Sequence, residues 1–207
     1  MMNAAIPLRM IIADGGTGAL GCIREEIERG GFVVMVDCAD GASATAAVVR
    51  ERAQLCLVDA GLCGAREAVA AIVSLPLAPK VVVVGRATDD EALFAAFESG
   101  ASGYVPDDLE PGSLAAELEN VANGGVALSP AVAARLAETA LSLVPGRLTD
   151  RERKVLDLVA TGLTTAEIAL RLRVSSAAVR RHLSSAVRQI VASRGGSPLD
   201  QQKERKP

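Results

Sequence analysis

Aromatic residues are nearly missing from this 207-residue chain, which has no Trp, one Tyr and three Phe. Half of its residues are apolar, so the core has to be built from Ala, Val, Leu and Ile. That composition suits helices packed on a parallel sheet, whose strands are buried on both faces and read as continuous apolar runs. Histidine is also scarce, with one residue, and the four cysteines (Cys22, Cys38, Cys56 and Cys63) form no CxxC pair. A zinc ribbon and a disulfide scaffold are both excluded. Buried, reduced thiols in a cytosolic protein are expected. No apolar stretch approaches the length of a membrane span. Met1–Pro7 lacks the charged start of a signal peptide, so a cytoplasmic location with no membrane partner is expected.

Charge is what the chain has, unevenly placed. Residues 1–147 carry 10 basic and 19 acidic side chains, whereas 148–207 carry 12 basic and 6 acidic. An acidic front and a basic back predict two domains with different partners. A basic module attracts phosphates, and an acidic neighbour holds that attraction in check.

The front reads as strand and helix in alternation. Leu8–Ala13 is an apolar run ending at Asp14, and a helical pattern over Ala19–Arg29 stops at Gly30-Gly31. Strands follow at Phe32–Val36, Leu55–Val58, Lys80–Val84 and Ser102–Val105. Helices are expected over Ala42–Glu51, Glu67–Val73, Asp89–Ser99 and Ser113–Ala122, the last closed by Gly124-Gly125. Five β-α units predict an α/β fold: a five-stranded, doubly wound parallel sheet of flavodoxin-like form. This domain is assigned to 1–126. A linker with a short helix from Ser129-Pro130 to about Leu141 spans 127–146, where Pro145-Gly146 breaks the chain. A small all-α domain with a polar tail occupies 147–207.

The helical end has the marks of a groove reader. Thr149 and Glu152 have the spacing of a capping box, in which each side chain bonds the other residue's backbone N–H. Gly162 ends that helix, a second runs from about Thr165 to Leu172, and after the Arg173-Val174 turn Ser175 or Ser176 caps a third. Two short helices across a tight turn, the second rich in Arg, are what the major groove accepts. Val179, Leu183, Ala186, Val187 and Ile190 recur at helical spacing and are expected to pack inward, which puts Arg180, Arg181, Ser184 and Arg188 on other faces. Arg pairs bidentately with guanine or holds phosphate, and backbone N–H groups near Thr164-Thr165 and Ser175-Ser176 suit phosphates. The bland account is that these Arg residues merely solvate a helix.

The segments Leu148–Leu156 (LTDRERKVL), Gly162–Ala169 (GLTTAEIA), Val174-Ser175, Val179 and His182-Leu183 closely resemble the LuxR-type helix-turn-helix. The resemblance implies double-stranded DNA as partner and makes the helix after Val174-Ser175 the recognition helix. By position, Arg180 and Arg181 become base or phosphate contacts, Val179 a base contact, and Thr164, Thr165, Ser175 and Ser176 backbone neighbours. His182 falls on the family's histidine position. The family's fourth, dimerising helix would fall where Gly195–Pro198 and the polar Gln201–Pro207 stand, so dimerisation is expected through the front domain.

Asp14, Asp59, Gly64 and Gly100–Tyr104 (GASGY) make the front resemble a response-regulator receiver, and the whole layout the NarL/FixJ family. The resemblance implies a phosphoacceptor position at Asp59, Mg²⁺ held by acids that include Asp14, and a switch aromatic at Tyr104. Phosphoryl transfer to a carboxylate gathers anions, so a divalent cation and a Lys must offset the repulsion. Here the second acid is Gly15, the Thr/Ser position is Gly85, and the Lys position is Asp107. A degenerate receiver is therefore expected, with weak or absent Mg²⁺, no other cofactor, no enzymatic activity of its own and no ordinary reliance on a sensor kinase. A conventional regulator phosphorylated on Asp59 is the alternative. RNA polymerase is a further partner that the resemblance implies. Cys63 stands near the same site and reads as a small residue without redox work.

Gly15, Gly18 and Gly21 after a strand, with Asp37 one unit later, also approach a dinucleotide-binding fingerprint. That reading makes the chain an NAD(P)-binding or ligand-sensing protein, yet no Tyr-x-x-x-Lys pair accompanies it. An adaptor that has lost DNA binding is a third class, opposed by the Arg pair.

Overall fold

The computed structural model describes residues 7–15, 20, 23–109, 112–143 and 146–195. The chain divides into two units, Met1–Ser129 and Pro130–Pro207.

In the first unit the strands are β1 (Arg9–Ala13), β2 (Val33–Cys38), β3 (Leu55–Asp59), β4 (Lys80–Gly85), β5 (Gly103–Pro106) and β6 (Ala127–Leu128). The helices between them are α1 (Arg24–Arg29), α2 (Gly41–Glu51), α3 (Ala65–Val73), α4 (Asp90–Glu98) and α5 (Ser113–Ala122). All pairings are parallel, in the order β2-β1-β3-β4-β5-β6. Successive side chains of a strand point to opposite faces. Met10, Ile12, Leu55, Leu57, Val82 and Val84 accordingly share one core with Ile27, Leu114 and Leu118. Their alternates Ile11, Cys56, Val58, Val81 and Val83 are equally buried, so both faces of the sheet are covered.

The sheet has six strands, not the five expected. The sixth is two residues long, too short to stand out as an apolar run. It pairs Ala127 with Gly103 and Leu128 with Tyr104. Gly103 makes the approach possible, since a Cβ there would lie 2.4 Å from that of Ala127. Strand β5 runs one residue later than expected, through Pro106.

Strand order matters for function. The chain leaves β1 for β2 on one side and then crosses to β3 on the other. The crevice outside the carboxyl ends of β1 and β3 is thus a topological switch point, where open α/β sheets place ligands. Asp14 follows β1 and Asp59 ends β3.

The second unit comprises α6 (Pro130–Leu143), α7 (Asp150–Ala160), α8 (Thr165–Leu172) and α9 (Ser176–Gly195). Helix α6, expected within a linker over 127–146, packs on α7 and α9, burying Val132, Ala133 and Leu136. Helix α7 starts with the expected capping box: the Glu152 N–H donates to Thr149 Oγ1 at 3.3 Å and the Thr149 N–H to Glu152 Oε2 at 2.9 Å. Buried Glu152 also accepts from Gln189 Nε2 on α9 at 2.9 Å, which ties the two helices.

Two carboxyl groups make each unit's stability depend on pH. Burial pushes Glu117 of α5 up to about 7, against hydrogen bonds with the Leu128 backbone and the Asn120 side chain that lower it. A carboxyl raised in the fold stabilises below its unfolded value and loses that contribution as pH rises through about 7. Glu117→Gln should flatten the loss of first-unit stability as pH rises from about 5 to about 8. The emission of the sole Tyr, Tyr104, reports that unit's melting, and an unchanged slope would refute the assignment. Glu152 behaves oppositely. Burial raises it, but hydrogen bonds from Ser185, Thr149 and Gln189 outweigh that and leave it lowered. Its contribution is present above the unfolded value and fades as pH falls through the folded one. Glu152→Ala should cost the second unit about 2 kcal/mol through the lost cap and buried hydrogen bonds. Far-UV melting, with Tyr104 emission separating the units, checks this.

Candidate nucleic-acid interface and carboxylate site

The turn between α8 and α9 is built locally. Arg173, at φ 53°, closes α8 in the left-handed conformation, and the Ala178 N–H donates to Ser175 Oγ at 3.1 Å, capping α9. Helix α8 opens with a second capping box that the T-x-x-E spacing at Thr164 and Glu167 signals and that the reading of α7 alone missed. Thr164 Oγ1 donates to Glu167 Oε2 at 2.8 Å and accepts from the Glu167 N–H at 3.3 Å. Thr164 and Ser175 are exposed, and Thr165 and Ser176, the first residues of α8 and α9, are half-buried.

Helix α9 buries Val179, Leu183, Ala186, Val187 and Ile190, as the spacing predicts. Val179 is 1% exposed, so its assignment as a base contact is corrected: its isopropyl group belongs to the core. Opposite that stripe, Ala177, Arg181 and Arg188 are exposed. Residues i, i+4, i+7 and i+11 share a helical face, and Ser184 completes this one, its hydroxyl donating to the Arg180 carbonyl at 2.9 Å. Arg180 is half-buried on the flank, as is His182. The outward cationic row is therefore Arg181 and Arg188, with Arg180 beside it.

At the switch point, Asp59 is buried and its Oδ1 accepts the Gly61 N–H at 2.8 Å. Half-buried Asp14 accepts the Leu20 N–H at 3.3 Å. Gly15 adds no ligand atom beyond its backbone. Asp107 is exposed just past β5, its N–H donating to the Gly85 carbonyl at 3.0 Å. Among the described residues, no three His, Cys, Asp or Glu side chains converge. Mg²⁺ takes an octahedron of oxygens; of the positions the resemblance names, Asp14 and Asp59 supply carboxylates and Gly15 supplies none. Tyr104 is fully buried, its hydroxyl donating to the Arg86 carbonyl at 3.0 Å. Cys38 and Cys56 are buried, as expected of the thiols, whereas Cys63, in the turn between β3 and α3, is exposed, which corrects that expectation.

Of the dinucleotide fingerprint, Gly18 and Gly21 lie outside the described residues, as do 196–207, where the fourth helix was looked for. Asp37, the acid that reading assigns to a ribose, is ion-paired with Arg24. Among the described residues no helix is long and apolar enough to cross a membrane.

Comparisons with known proteins agree with this architecture. The family model for bacterial regulatory proteins of the luxR family matches residues 146–194. Response regulator RamR of Streptomyces coelicolor is 34% identical over 155 residues, covering 74% of this chain and 73% of that protein. Nitrate/nitrite response regulator protein NarL of Escherichia coli is 34% identical over 113 residues, and there the match spans about half of each chain, 52%. The two-component response regulator RcsB, solved in complex with DNA, shares the fold at 22% identity with a TM-score of 0.57, over 90% of this chain and 93% of that one. With its receiver-like sheet, its LuxR-type helix-turn-helix and a relative matched over most of its length, the chain belongs to the NarL/FixJ-type response regulators.

Proposed function

We propose that this protein is a cytoplasmic DNA-binding transcription regulator whose receiver-like unit works without ordinary aspartyl phosphorylation. The observation that carries DNA binding is the row of Arg181 and Arg188 on the exposed face of α9, opposite its buried stripe. A helix presented this way fits the major groove, with capped N-termini of α8 and α9 beside the backbone phosphates. Thr164, Thr165, Ser175 and Ser176 lie at those N-termini. Two copies joined through their receiver-like units would read half-sites about one helical turn apart. RNA polymerase is the partner such a complex would engage at a promoter.

Phosphate independence is supported by charge. A phosphoryl group on Asp59 adds negative charge that a cation must offset. The position that would supply it carries Asp107, and Gly15 and Gly85 add neither a metal ligand nor a hydroxyl. The second reading, phosphorylation on Asp59, is favoured by the placement of that carboxylate at the switch point.

Two experiments separate these. Arg181→Ala should weaken operator binding about 10- to 100-fold and lower the salt-dependence slope by about 1 if it holds phosphate, with Arg180→Ala smaller in effect. Equal losses at both positions, or none at either, would sink the assigned face. Intact mass after incubation with Mg²⁺ and acetyl phosphate should show no adduct. A stable adduct present in the parent and absent from Asp59→Ala would establish the conventional reading.

A further inference from the structure

The size of residue 85 decides where Tyr104 sits. Tyr104 pairs in register with Val83, and side chains two apart along a strand share a face, so Gly85 lies on the face that Tyr104 occupies. A Cβ built on Gly85 would stand 2.5 Å from the Tyr104 hydroxyl oxygen and 2.6 Å from the Ala60 Cβ. Gly85 is not among the glycines with positive φ, so its backbone conformation is open to any residue. Glycine is needed there for room. Ala60, which follows β3 and donates its N–H to the Val84 carbonyl at 2.7 Å, keeps the other wall small.

We propose that Gly85 and Ala60 form a socket that holds the Tyr104 ring permanently inward, so that the end of β4 has one resting arrangement instead of two. A Cβ at 85 and the Tyr104 hydroxyl in its present place compete for one volume, so one of them must shift. Where residue 85 carries no side chain, nothing can push the ring out and nothing need be withdrawn to let it in. The Arg86 carbonyl latches the hydroxyl at 3.0 Å. Burial, with the nearby charges of Asp89, Asp107 and Asp59, pushes the phenol above its ordinary range and keeps it a donor. Asp89 itself caps α4 by accepting the Ala92 N–H at 2.9 Å, so the latch lies where β4 leads into α4. Tyr104 is then a fixed strut, not the switch its position implies. The regulatory meaning of the socket rests on the phosphate-independent reading above, whereas its geometry does not.

The chain has one Tyr and no Trp, so its intrinsic emission comes from Tyr104 alone. Acrylamide quenching of the full-length protein should give a Stern–Volmer slope several-fold below that of N-acetyltyrosinamide, unchanged by acetyl phosphate with Mg²⁺. Gly85→Ala and Gly85→Thr should raise the slope several-fold with far-UV ellipticity retained, and Ala60→Gly added to Gly85→Ala should bring it back down. A parent slope like that of the free amide, or a folded Gly85→Ala protein as shielded as the parent, overturns the socket. If Gly85→Ala does not fold, alkaline titration of the parent decides: ionisation only on unfolding supports the socket, and ionisation of the folded protein near the free phenol value of about 10 refutes it. An adduct on Asp59 with Tyr104 still shielded would refute the phosphate-independent reading and leave the socket standing. An exposed Tyr104 with no adduct would do the reverse.

Discussion

In the first unit, much depends on β1 lying between β2 and β3. That order reverses the direction of winding at β1, and only there do two strand ends stand together with no helix crossing between them. Asp14 and Asp59 are neighbours for this reason, although 45 positions separate them in the chain. The same order leaves the central strands buried on both faces, which is why β3 and β4 are runs of Leu, Val and Cys with no alternation to water. Mechanical support and the carboxylate crevice are consequences of one topology.

What the crevice can do is then a matter of charge. Asp14 and Asp59 each accept a backbone N–H, from Leu20 and from Gly61. Holding a phosphoryl group is different, because its cost in repulsion has to be met locally. Asp107 at the end of β5 adds to that repulsion. On the phosphate-independent reading proposed above, the fold is kept while the site on it differs, since a fold is a scaffold on which sites are grafted.

Much of this was legible in the sequence, and the exceptions have physical causes. Four consecutive valines before Gly85 and an Asp ending a short apolar run declare parallel strands. Thr149 with Glu152 declares a helix start. Strand β6 was illegible because two residues have no periodicity, and because its partner is admitted by the missing side chain of Gly103. Helix α6 was placed in a linker since its apolar positions Val132, Ala133 and Leu136 belong to a core whose other half lies in α7 and α9. The socket for Tyr104 depends on the register of β4 against β5, which no local pattern encodes. The carboxylate positions were readable, but the hydrogen bonds that occupy them were not.

Helix α9 shows how far periodicity carries a functional argument. Val179, Leu183, Ala186, Val187 and Ile190 define a buried stripe, and a stripe fixes its own opposite. Turning 100° per residue from that stripe brings Ala177, Arg181, Ser184 and Arg188 to the far side and leaves Arg180 at the edge. The adjacent arginines are therefore not equivalent: one points outward, and the other must bend its stem around the helix to reach the same surface. Val179 illustrates the converse. An apolar residue next to two arginines looks suited to touch a thymine methyl, yet its place in the buried row makes it part of what holds the helix in position. The buried face orients this helix, and the outward face is left free for a groove.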